Sequence, residues 1–478
     1  MNFHALKREW FSNLRGDSLA GITVALALIP EAIAFSIIAG VNPMVGLYAS
    51  ICIAIVIAFA GGRPGMISAA TGSMALIMIV LVRDYGLEYL LAATILTGIF
   101  QVILGWLNVG RFITFVPYPV VLGFVNALAI LIFLAQVPFF INATWVMYIM
   151  VAGTLAIVYF LPRFTRLVPS SLAAIVVMTA IAIGTGIQVL AVGDIGTITQ
   201  SLPVFHLPAV PISLETLLII LPYSLTLVIV GLLESLLTAS IVDEMTDTRS
   251  NRDREVRGQG YANTITGFFG GMAGCAMIGQ SVINIKSGAT GRLSSLVAGL
   301  FLLFLIIALG DVLARIPMAA LVGVMIMVAL STFDWKSVQD LPKVPVSDAA
   351  IMVITIVIVV FTHDLAKGVI AGVILSALVF GWRISAINAT ATIRSSGVKI
   401  YTVKGQVFFG TMAAFIDLFD YANDPQRVEI DLAQSHIWDQ SAVAAIAKVV
   451  DKYQQQGKSV YVTGLNPESQ ETLDKGFS

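Results

Sequence analysis

The chain has 478 residues, of which 58% are hydrophobic and only 12% are charged. Soluble domains keep about a quarter of their residues charged, so this composition excludes an ordinary soluble protein and indicates a polytopic membrane protein. The formal net charge of −1 provides no basic excess, and we expect no nucleic-acid partner. The two cysteines, Cys52 and Cys275, lie far apart in apolar surroundings, which argues against a disulfide framework or a cysteine metal site.

Apolar segments recur along the chain from about residue 19 to residue 385. A helix that spans a bilayer needs about 20 apolar residues, and the pattern predicts fourteen segments in two sets of seven. The third and tenth segments are too short to span, and they occupy matching places in the two sets. Because no small-residue cleavage site follows the first segment, we interpret it as a retained helix. The predicted segments are 19–39, 44–60, 71–82, 87–108, 118–136, 145–161, 169–187, 217–242, 258–272, 280–290, 294–310, 317–333, 347–362 and 365–385.

Lysine and arginine are distributed unevenly between the two sides of this topology. The long loop 188–216 contains neither, and the other outer loops contain Arg83, Arg315 and Lys367. This asymmetry predicts that both termini are cytoplasmic, and the odd number of segments in each half makes the two halves inverted relative to each other. We therefore expect a multi-pass protein of the cell (inner) membrane. The charged run 243–260 is expected to be a solvated cytoplasmic loop. The positive residues assigned to the inner side are Lys7, Arg8, Arg15, Arg63, Arg111, Arg163, Arg166, Arg249, Arg252, Arg254, Arg257, Arg292, Lys336 and Lys343.

The composition changes after Gly381, and residues 398–478 are polar enough for a soluble domain. The stretches VKIYTV, QVFFGTM, RVEIDLA and SVYVTGL predict strands, whereas AAFIDLFDYA and SAVAAIAKVVDKYQQQG predict helices. This alternation indicates a small α/β domain whose last elements we expect to be missing or reduced. The predicted organisation is a cytoplasmic N-terminal segment (1–18), a transmembrane domain (19–385), a linker (386–397) and the α/β domain (398–478).

Two glycine-rich stretches, GGRPGMISAATGS (61–73) and GGMAGCAMIGQS (270–281), precede the two short segments. Each begins Gly-Gly-x-x-Gly and reaches a further glycine close to a serine. Chance is one explanation, because the chain has 40 glycines, and close packing between helices is another. Their equivalent places before two undersized segments favour a functional interpretation.

Irregular backbone at membrane depth is tolerated only where it is buried in protein or lines a watery cavity. A half-helix that begins there leaves its first amides without partners, and these donors attract an anion together with the positive end of the helix dipole. Two such N-termini from inverted halves predict a transporter site near the bilayer midplane, where neutral donors hold the anion. The residues predicted to supply these donors are Thr71, Gly72, Ser73, Gly279, Gln280 and Ser281.

Several stretches resemble those of the SulP anion transporters. Residues 16–50 are similar to the first two helices of that family, through Pro30, Phe35 and the motif GLYAS. The stretch NIKSGATGRLSSLVAG (284–299) resembles the tenth and eleventh helices. The stretch VEIDLAQSHIWDQSAVAAI (428–446) resembles a STAS domain, with its strand and an Asp-x-Ser before a helix.

This resemblance implies an α-helical polytopic membrane protein, built as a seven-plus-seven inverted repeat of core and gate domains with half-helices 3 and 10. A small cytoplasmic α/β STAS domain follows. The resemblance also implies an elevator-like motion, commonly in a homodimer, and a substrate held between the third and tenth helices with Phe35 lining the site. The chain departs from the family pattern at Glu31, where glutamine is usual, at Gln280, where some members carry arginine, and in its short STAS-like domain. These departures favour a bacterial coupled symporter.

Glu31 and Glu234 are the acidic residues deepest in apolar segments. A charge at the bilayer centre costs at least about 2.5–3.5 kcal/mol, so each carboxyl is expected to face a cavity or a partner. A structural role is one interpretation, either beside the helix break at Pro30 or against a neighbouring helix. Ion coupling is the other: the carboxyl loads a proton or, with Thr238 one turn on, holds Na⁺. The resemblance places the coupling site at Glu234, and both ions stay open.

The predicted function is secondary active transport of a small inorganic or organic anion, with sulfate or bicarbonate first and a dicarboxylate second, by symport with H⁺ or Na⁺. The alternative is an uncoupled anion channel, a uniporter or an exchanger on the same scaffold, and the intramembrane glutamates favour coupling. A membrane enzyme would need a cluster of nucleophile, base or metal ligands, which the sequence does not reveal. We therefore predict no enzymatic activity and no cofactor besides a coupling ion. The predicted partners are the anion, the bilayer and a second copy of the chain.

Overall fold

The structure is a computed structural model that describes residues 9–111, 116–165 and 168–477. Lys7, Arg8 and Arg166, which the charge pattern assigns to the inner side, lie outside the described residues. The chain forms two compact units, Met1–Gly372 and Val373–Ser478.

In the described residues before position 385, fourteen helices of nine or more residues confirm the fourteen predicted segments. The third has 14 residues and the tenth has 9, so both are short, and eight of the others are long and apolar enough to cross a membrane. The first set is α1 (Leu14–Ala39), α2 (Pro43–Ala60), α3 (Gly72–Tyr85), α4 (Leu87–Trp106), α5 (Tyr118–Leu134), α6 (Trp145–Phe164) and α7 (Ser170–Thr185). The second set is α8 (Leu214–Thr246), α9 (Arg252–Phe268), α10 (Ile278–Lys286), α11 (Leu293–Ala314), α12 (Met318–Thr332), α13 (Val346–Thr362) and α14 (Leu365–Ile384).

Packing contacts divide the helices of the first unit into two groups. Helices α1 to α4 pack mainly against one another and against α8 to α11. Helices α5 and α6 pack against α12 and α13, and α7 packs against α6. Each group combines equivalent helices from both halves of the chain, which is the core-and-gate arrangement that the family resemblance implies.

The charged run 243–260 is helical over most of its length, so its interpretation as a loop is wrong. Helix α8 continues to Thr246, and α9 begins at Arg252 rather than near residue 258. The side chain of Asn251 caps α9 by accepting a hydrogen bond from Arg254 N. A capped helix start tolerates charged residues in its first turns, and hydropathy alone places that start too late.

Two three-residue strands bring the glycine-rich stretches together. Strand β1 (Ser68–Ala70) pairs antiparallel with β2 (Gly274–Ala276), and Ala69 lies opposite Cys275. Each strand is followed by one residue and then by a short helix, α3 after β1 and α10 after β2. The pairing satisfies backbone groups that irregular chain would leave exposed at membrane depth.

Helix α9 holds both strands through side chains spaced four residues apart on one face. The Asn263 amide donates to Gly274 O at 3.0 Å, and its Oδ1 accepts from Gly274 N at 2.9 Å, as a neighbouring strand would do. Gln259 Nε2 donates to Ser68 Oγ at 2.7 Å. All three side chains are buried, so these bonds fix the register of the strand pair within the helix group.

The second unit contains a four-stranded sheet in the order β3-β4-β5-β6. Strand β3 is antiparallel to β4, and the other neighbours are parallel. Helix α16 and the strands enclose one apolar core that includes Phe415, Val443 and Tyr453. The elements are β3 (Asn388–Ile393), β4 (Lys399–Val407), α15 (Met412–Ile416), β5 (Arg427–Ile437), α16 (Gln440–Gln455), β6 (Ser459–Thr463) and α17 (Pro467–Phe477).

Three sequence expectations for this unit are wrong. Residues 386–397 are not a plain linker, because they contain β3, whose mostly exposed side chains give no hydrophobic signal. VKIYTV and the beginning of QVFFGTM form the single strand β4. The last elements are present, since α17 follows β6, although its polar sequence carries little hydropathy signal.

The carboxylate of Asp424 is fully buried within this unit and has three partners. Lys399 Nζ donates to it at 2.5 Å, Tyr453 OH at 2.5 Å and Tyr401 OH at 2.9 Å. The hydrogen bond to Asp424 raises the pKa of Lys399 from 10.5 to about 12. The hydrogen bonds from Lys399 and Tyr401 to this buried carboxylate therefore connect β4 to the segment before β5.

We expect Lys399→Met to destabilise the α/β unit by about 1–2 kcal/mol, because it removes one charged donor from Asp424. The raised pKa keeps this contribution present below pH 10.5 and removes it as the pH rises toward 12. The difference from the wild type should therefore stay constant between about pH 7 and 9. Hydrogen exchange of β4 and β5 amides in the full-length protein measures it. Lys404→Met, on the exposed side of the same strand, is the control; an equal effect there would contradict the assignment.

Candidate functional site

The N-termini of α3 and α10 lie beside the strand pair, at equivalent places in the two halves of the chain. Among the described residues, neither N-cap residue, Thr71 or Met277, caps its helix with a side chain. The first amides of each helix therefore have no partner within the helix. Both termini contribute their first residues to the wall of one cavity, so their dipoles converge on it.

This cavity has a volume of about 260 Å³ and lies between the two helix groups. One wall consists of the half-helix starts with Glu31, Phe35 and Glu234. The opposite wall comes from α5 and α12 of the other helix group. The residues of that wall are Phe124, Val125, Leu128, Ile132, Val328, Ser331 and Thr332.

Glu234 is the centre of a hydrogen-bonded cluster at the strand pair. Its Oε2 accepts a hydrogen bond from Ser73 Oγ at the start of α3 and another from Cys275 Sγ in β2, the latter at 2.7 Å. Thr71 Oγ1 lies 3.2 Å from both Ser73 Oγ and Cys275 Sγ. The cluster thus joins α8, α3 and β2 through four side chains, three of which line the cavity.

Glu31 faces the other half-helix. Its Oε2 accepts a hydrogen bond from Gln280 Nε2 at 2.5 Å, which connects α1 to the start of α10. The side chain of Gln280 is thereby oriented by a carboxylate as well as lining the cavity. On the same helix as Glu31, the Phe35 ring covers Gly72: a Cβ at that glycine would lie 2.9 Å from Phe35 Cε1.

Two predicted residues do not line the cavity. Ser281 Oγ instead accepts from Ile67 N at 3.0 Å, so its hydroxyl fixes the chain that enters β1. Thr238 Oγ1 donates to the carbonyl of Glu234 at 2.7 Å within its own helix. Both side chains are buried and act on the backbone, because a serine or threonine in a helix readily bonds to nearby backbone groups.

The structure brings together the other predicted residues and adds some that the sequence did not indicate. Cys275 lies at the site through its hydrogen bond to Glu234, although the sequence analysis assigned it no role beyond excluding a disulfide framework or a cysteine metal site. The wall from α5 and α12 was also missed, since apolar residues in a spanning helix carry no local signal for the partner they face. For Cys275 the available signal was its place in the second glycine-rich stretch, four residues before Gly279.

The cavity combines opposing electrostatic features. Its described lining contains two carboxyl groups, Glu31 and Glu234, and neither lysine nor arginine. Positive potential comes from the two helix N-termini, with neutral donors such as the Ser73 hydroxyl. The site therefore combines features that attract an anion with two groups that repel it when ionised.

Comparisons with known proteins agree with this architecture. A sequence profile described as the sulfate permease family matches residues 14–146 and 140–355, and a STAS domain profile matches residues 389–476. A putative sulfate transporter, YbaR of Bacillus subtilis, is 58% identical over 472 residues, which are 99% of both chains. The bicarbonate transporter BicA of Picosynechococcus is 27% identical over 97% of this chain and 91% of its own. These relatives are transporters and not enzymes.

Two solved structures share the fold. The transmembrane domain of a cyanobacterial bicarbonate transporter BicA is 29% identical, covers 76% of this chain and 98% of its own, and gives a TM-score of 0.67. The overall structure of SLC26A9 is 17% identical, covers 99% of this chain and 90% of its own, and gives a TM-score of 0.83.

Proposed function

Because the chain belongs to the sulfate permease family, a family of sulfate and bicarbonate transporters, we propose that it is a secondary active symporter that moves a small anion together with a cation. The anion binds between the N-termini of α3 and α10, and Glu234 carries the coupling cation. The transporter works in the cell membrane, with both termini cytoplasmic and with a second copy of the chain as its partner.

The symport proposal rests on two carboxyl groups, Glu31 and Glu234, which lie in a cavity where two helix N-termini attract an anion. Two like charges about 4 Å apart repel by about 4 kcal/mol at an effective dielectric constant of 20. A bound anion beside an ionised Glu234 is therefore unfavourable, and a cation on that carboxyl removes the repulsion. Anion and cation consequently bind best together, which is the thermodynamic requirement for symport.

An elevator-like motion agrees with the position of the cavity. The half-helices, both glutamates and Phe35 all belong to one helix group, and α5 and α12 of the other group supply the facing wall. Movement of the first group past the second carries the whole binding surface without rearranging its hydrogen bonds. The alternative is an uncoupled channel or an exchanger on the same scaffold. Neither mechanism requires the two glutamates in the cavity.

Sulfate and bicarbonate are the first substrates to test, because the relatives named above are a putative sulfate transporter and a bicarbonate transporter. A dicarboxylate such as fumarate is the second candidate. Purified protein in liposomes should accumulate one of these labelled anions above equilibrium when an inward proton or Na⁺ gradient is imposed. Chloride is the control anion, and protein-free liposomes measure the passive leak of the anion through the bilayer. Uptake that stops at equilibrium under both gradients would contradict symport.

A further inference from the structure

A second cavity, with a volume of about 570 Å³, lies between the same two helix groups as the cavity at the half-helices. Helices α3 and α8 of one group line it, and α5 of the other group faces them together with the turn from α13 to α14. That turn lies on the side proposed above to be extracellular, so we call this space the outer cavity. Its lining includes Ile77, Leu131, Thr226, His363, Asp364 and Lys367.

About one helical turn separates the outer cavity from the cavity at the half-helices. On α3, Ile77 of the outer cavity follows Ser73 of the other cavity by four residues, and on α5 Leu131 directly precedes Ile132. Ile77, Leu131 and Ile132 are buried, so the layer between the two cavities is apolar. Four residues of an α-helix rise by about 6 Å. A shift of the first helix group by that distance would bring Ser73 to the level of the outer cavity, which is the direction of the elevator-like motion proposed above.

The outer cavity contains a positive side chain, which the cavity at the half-helices lacks. Lys367 is the only lysine or arginine among the described residues that line it. Arg83, another basic residue assigned to the outer side, donates to the adjacent Asp84 and is absent from that lining. Positive charge in a recess attracts anions and raises their local concentration.

The ammonium of Lys367 is placed to receive a ligand. Its Nζ lies 3.2 Å from Asp364 Oδ2, and its side chain is 66% exposed. Asp364 is engaged at the start of α14, because its Oδ1 accepts from Ala366 N at 3.0 Å and from Lys367 N at 3.1 Å. An ammonium has three N–H donors, so this one ion pair leaves two for an anion. An exposed pair of this kind contributes little stability, and an anion can compete with it.

His363 adds a second polar group to the same turn. Its backbone has φ 52°, in the left-handed region that glycine usually occupies where a helix ends. A residue other than glycine is disfavoured there, and such positions are often found at binding sites. The imidazole carries at least one N–H donor in every protonation state. The turn therefore presents an ammonium and an imidazole to one cavity.

Resting on the proposed anion transport, we propose that the outer cavity captures the anion from outside and that Lys367 is the residue that binds it there. The ligand is a small oxyanion such as sulfate or bicarbonate, held by the charge of Lys367 with His363 as a further donor. The shift of the helix groups then passes the anion to the half-helix N-termini. Capture and carriage are thus divided between a charged entrance and a cavity with neutral donors. The phosphate of an anionic lipid has the same chemistry, and the test below distinguishes it from a free anion.

Substitutions in this turn are expected to change KM for uptake in opposite directions. Lys367→Met keeps the apolar stem and removes the charge, so KM should rise about threefold for a monoanion and about tenfold for a dianion. Lys367→Arg keeps the charge and should keep KM. Asp364→Asn still caps α14 but removes a repelling charge, so KM should fall about twofold. Vmax should stay unchanged in all three.

The test uses right-side-out membrane vesicles from cells that produce the full-length protein, and vesicles from cells without it give the background. Initial uptake of labelled sulfate and bicarbonate is measured over a range of concentrations and normalised to the amount of protein. The difference between Lys367→Met and the wild type should shrink as the ionic strength rises from about 0.05 M to about 0.5 M. Arg315→Met removes the same charge from an exposed residue outside the lining of the outer cavity, and this control should keep the wild-type KM.

Four results would count against these claims in different ways. Equal KM values for Lys367→Met and the wild type at low ionic strength would overturn capture by Lys367. A lower Vmax with an unchanged KM would overturn it in favour of a lipid phosphate at this residue. An equal rise of KM in Arg315→Met would assign the effect to general surface charge. A wild type that takes up neither anion above background would contradict the proposed transport function itself.

Discussion

Glu234→Gln should abolish concentrative uptake while leaving the protein able to exchange one anion for another. Glutamine has nearly the shape of the protonated glutamate, and its oxygen can still accept from Ser73 and Cys275 at the position of Oε2. The side chain can no longer bind or release the coupling cation. We expect accumulation under an imposed gradient to fall at least about 100-fold, a loss of roughly 2.7 kcal/mol or more of coupling free energy.

The measurement compares gradient-driven accumulation with tracer exchange at equal concentrations on both sides. Glu215→Gln is the matched control, because it makes the same substitution at an exposed position in the first turn of the same helix. It should leave both activities unchanged. Accumulation at the wild-type level in Glu234→Gln would remove this carboxyl from the coupling mechanism, whatever the substrate proves to be.

The half-helices and most of their site were predictable from the sequence for a physical reason. A spanning helix has a minimum length, so an undersized apolar segment is visible in one dimension. Glycines at the same place in both halves then mark where the backbone leaves the helix. The same reasoning locates Glu31 and Glu234, because an acidic residue within an apolar run needs a partner or a cavity.

The sequence did not reveal the direction in which each side chain points from its helix, nor which residues distant in the chain are in contact. Ser73 and Ser281 have similar chemistry and lie at similar places in the two halves. Ser73 is the second residue of α3, whereas Ser281 is the fourth residue of α10, so their side chains point in different directions. Ser73 therefore lines the cavity, and Ser281 accepts a hydrogen bond from Ile67 N. Thr238 lies one turn after Glu234, but its hydroxyl bonds to the backbone. Hydropathy gives neither the direction of a side chain nor the pairing of Cys275 with a carboxylate on another helix.

The strand pair explains why the glycine-rich stretches are constrained more tightly than a flexible turn. Asn263 binds both backbone groups of Gly274, and Ser235 Oγ accepts from Ala276 N at 3.1 Å. The two strands are therefore held by side chains of α8 and α9 as well as by each other. Because Cys275 lies between these anchored residues, its thiol is fixed relative to Glu234 by the same bonds that fix the backbone.

Gly274→Ala and Gly279→Ala separate these two roles of glycine within one stretch of sequence. A Cβ at Gly274 would lie 2.1 Å from the carbonyl oxygen of Ala69 and 2.6 Å from Ile53 Cδ1. The carbonyl belongs to the paired strand β1 and cannot move without breaking the pair. We expect Gly274→Ala to destabilise the protein by about 3 kcal/mol or more and to yield little folded material. A Cβ at Gly279 meets no atom within 4 Å, so Gly279→Ala should fold normally.

In Gly279→Ala the added methyl group lies at the start of α10, which lines the cavity. It takes space from the anion beside the half-helix amides, so we expect KM for the anion to rise about tenfold with thermal stability unchanged. Size-exclusion profiles and thermal unfolding in detergent measure folding, and initial uptake rates measure KM. The strand pair would lose its assigned role if Gly274→Ala folded and transported like the wild type. The half-helix N-terminus would lose its role in binding if Gly279→Ala left KM unchanged, because that substitution alters this surface without disturbing the strands behind it.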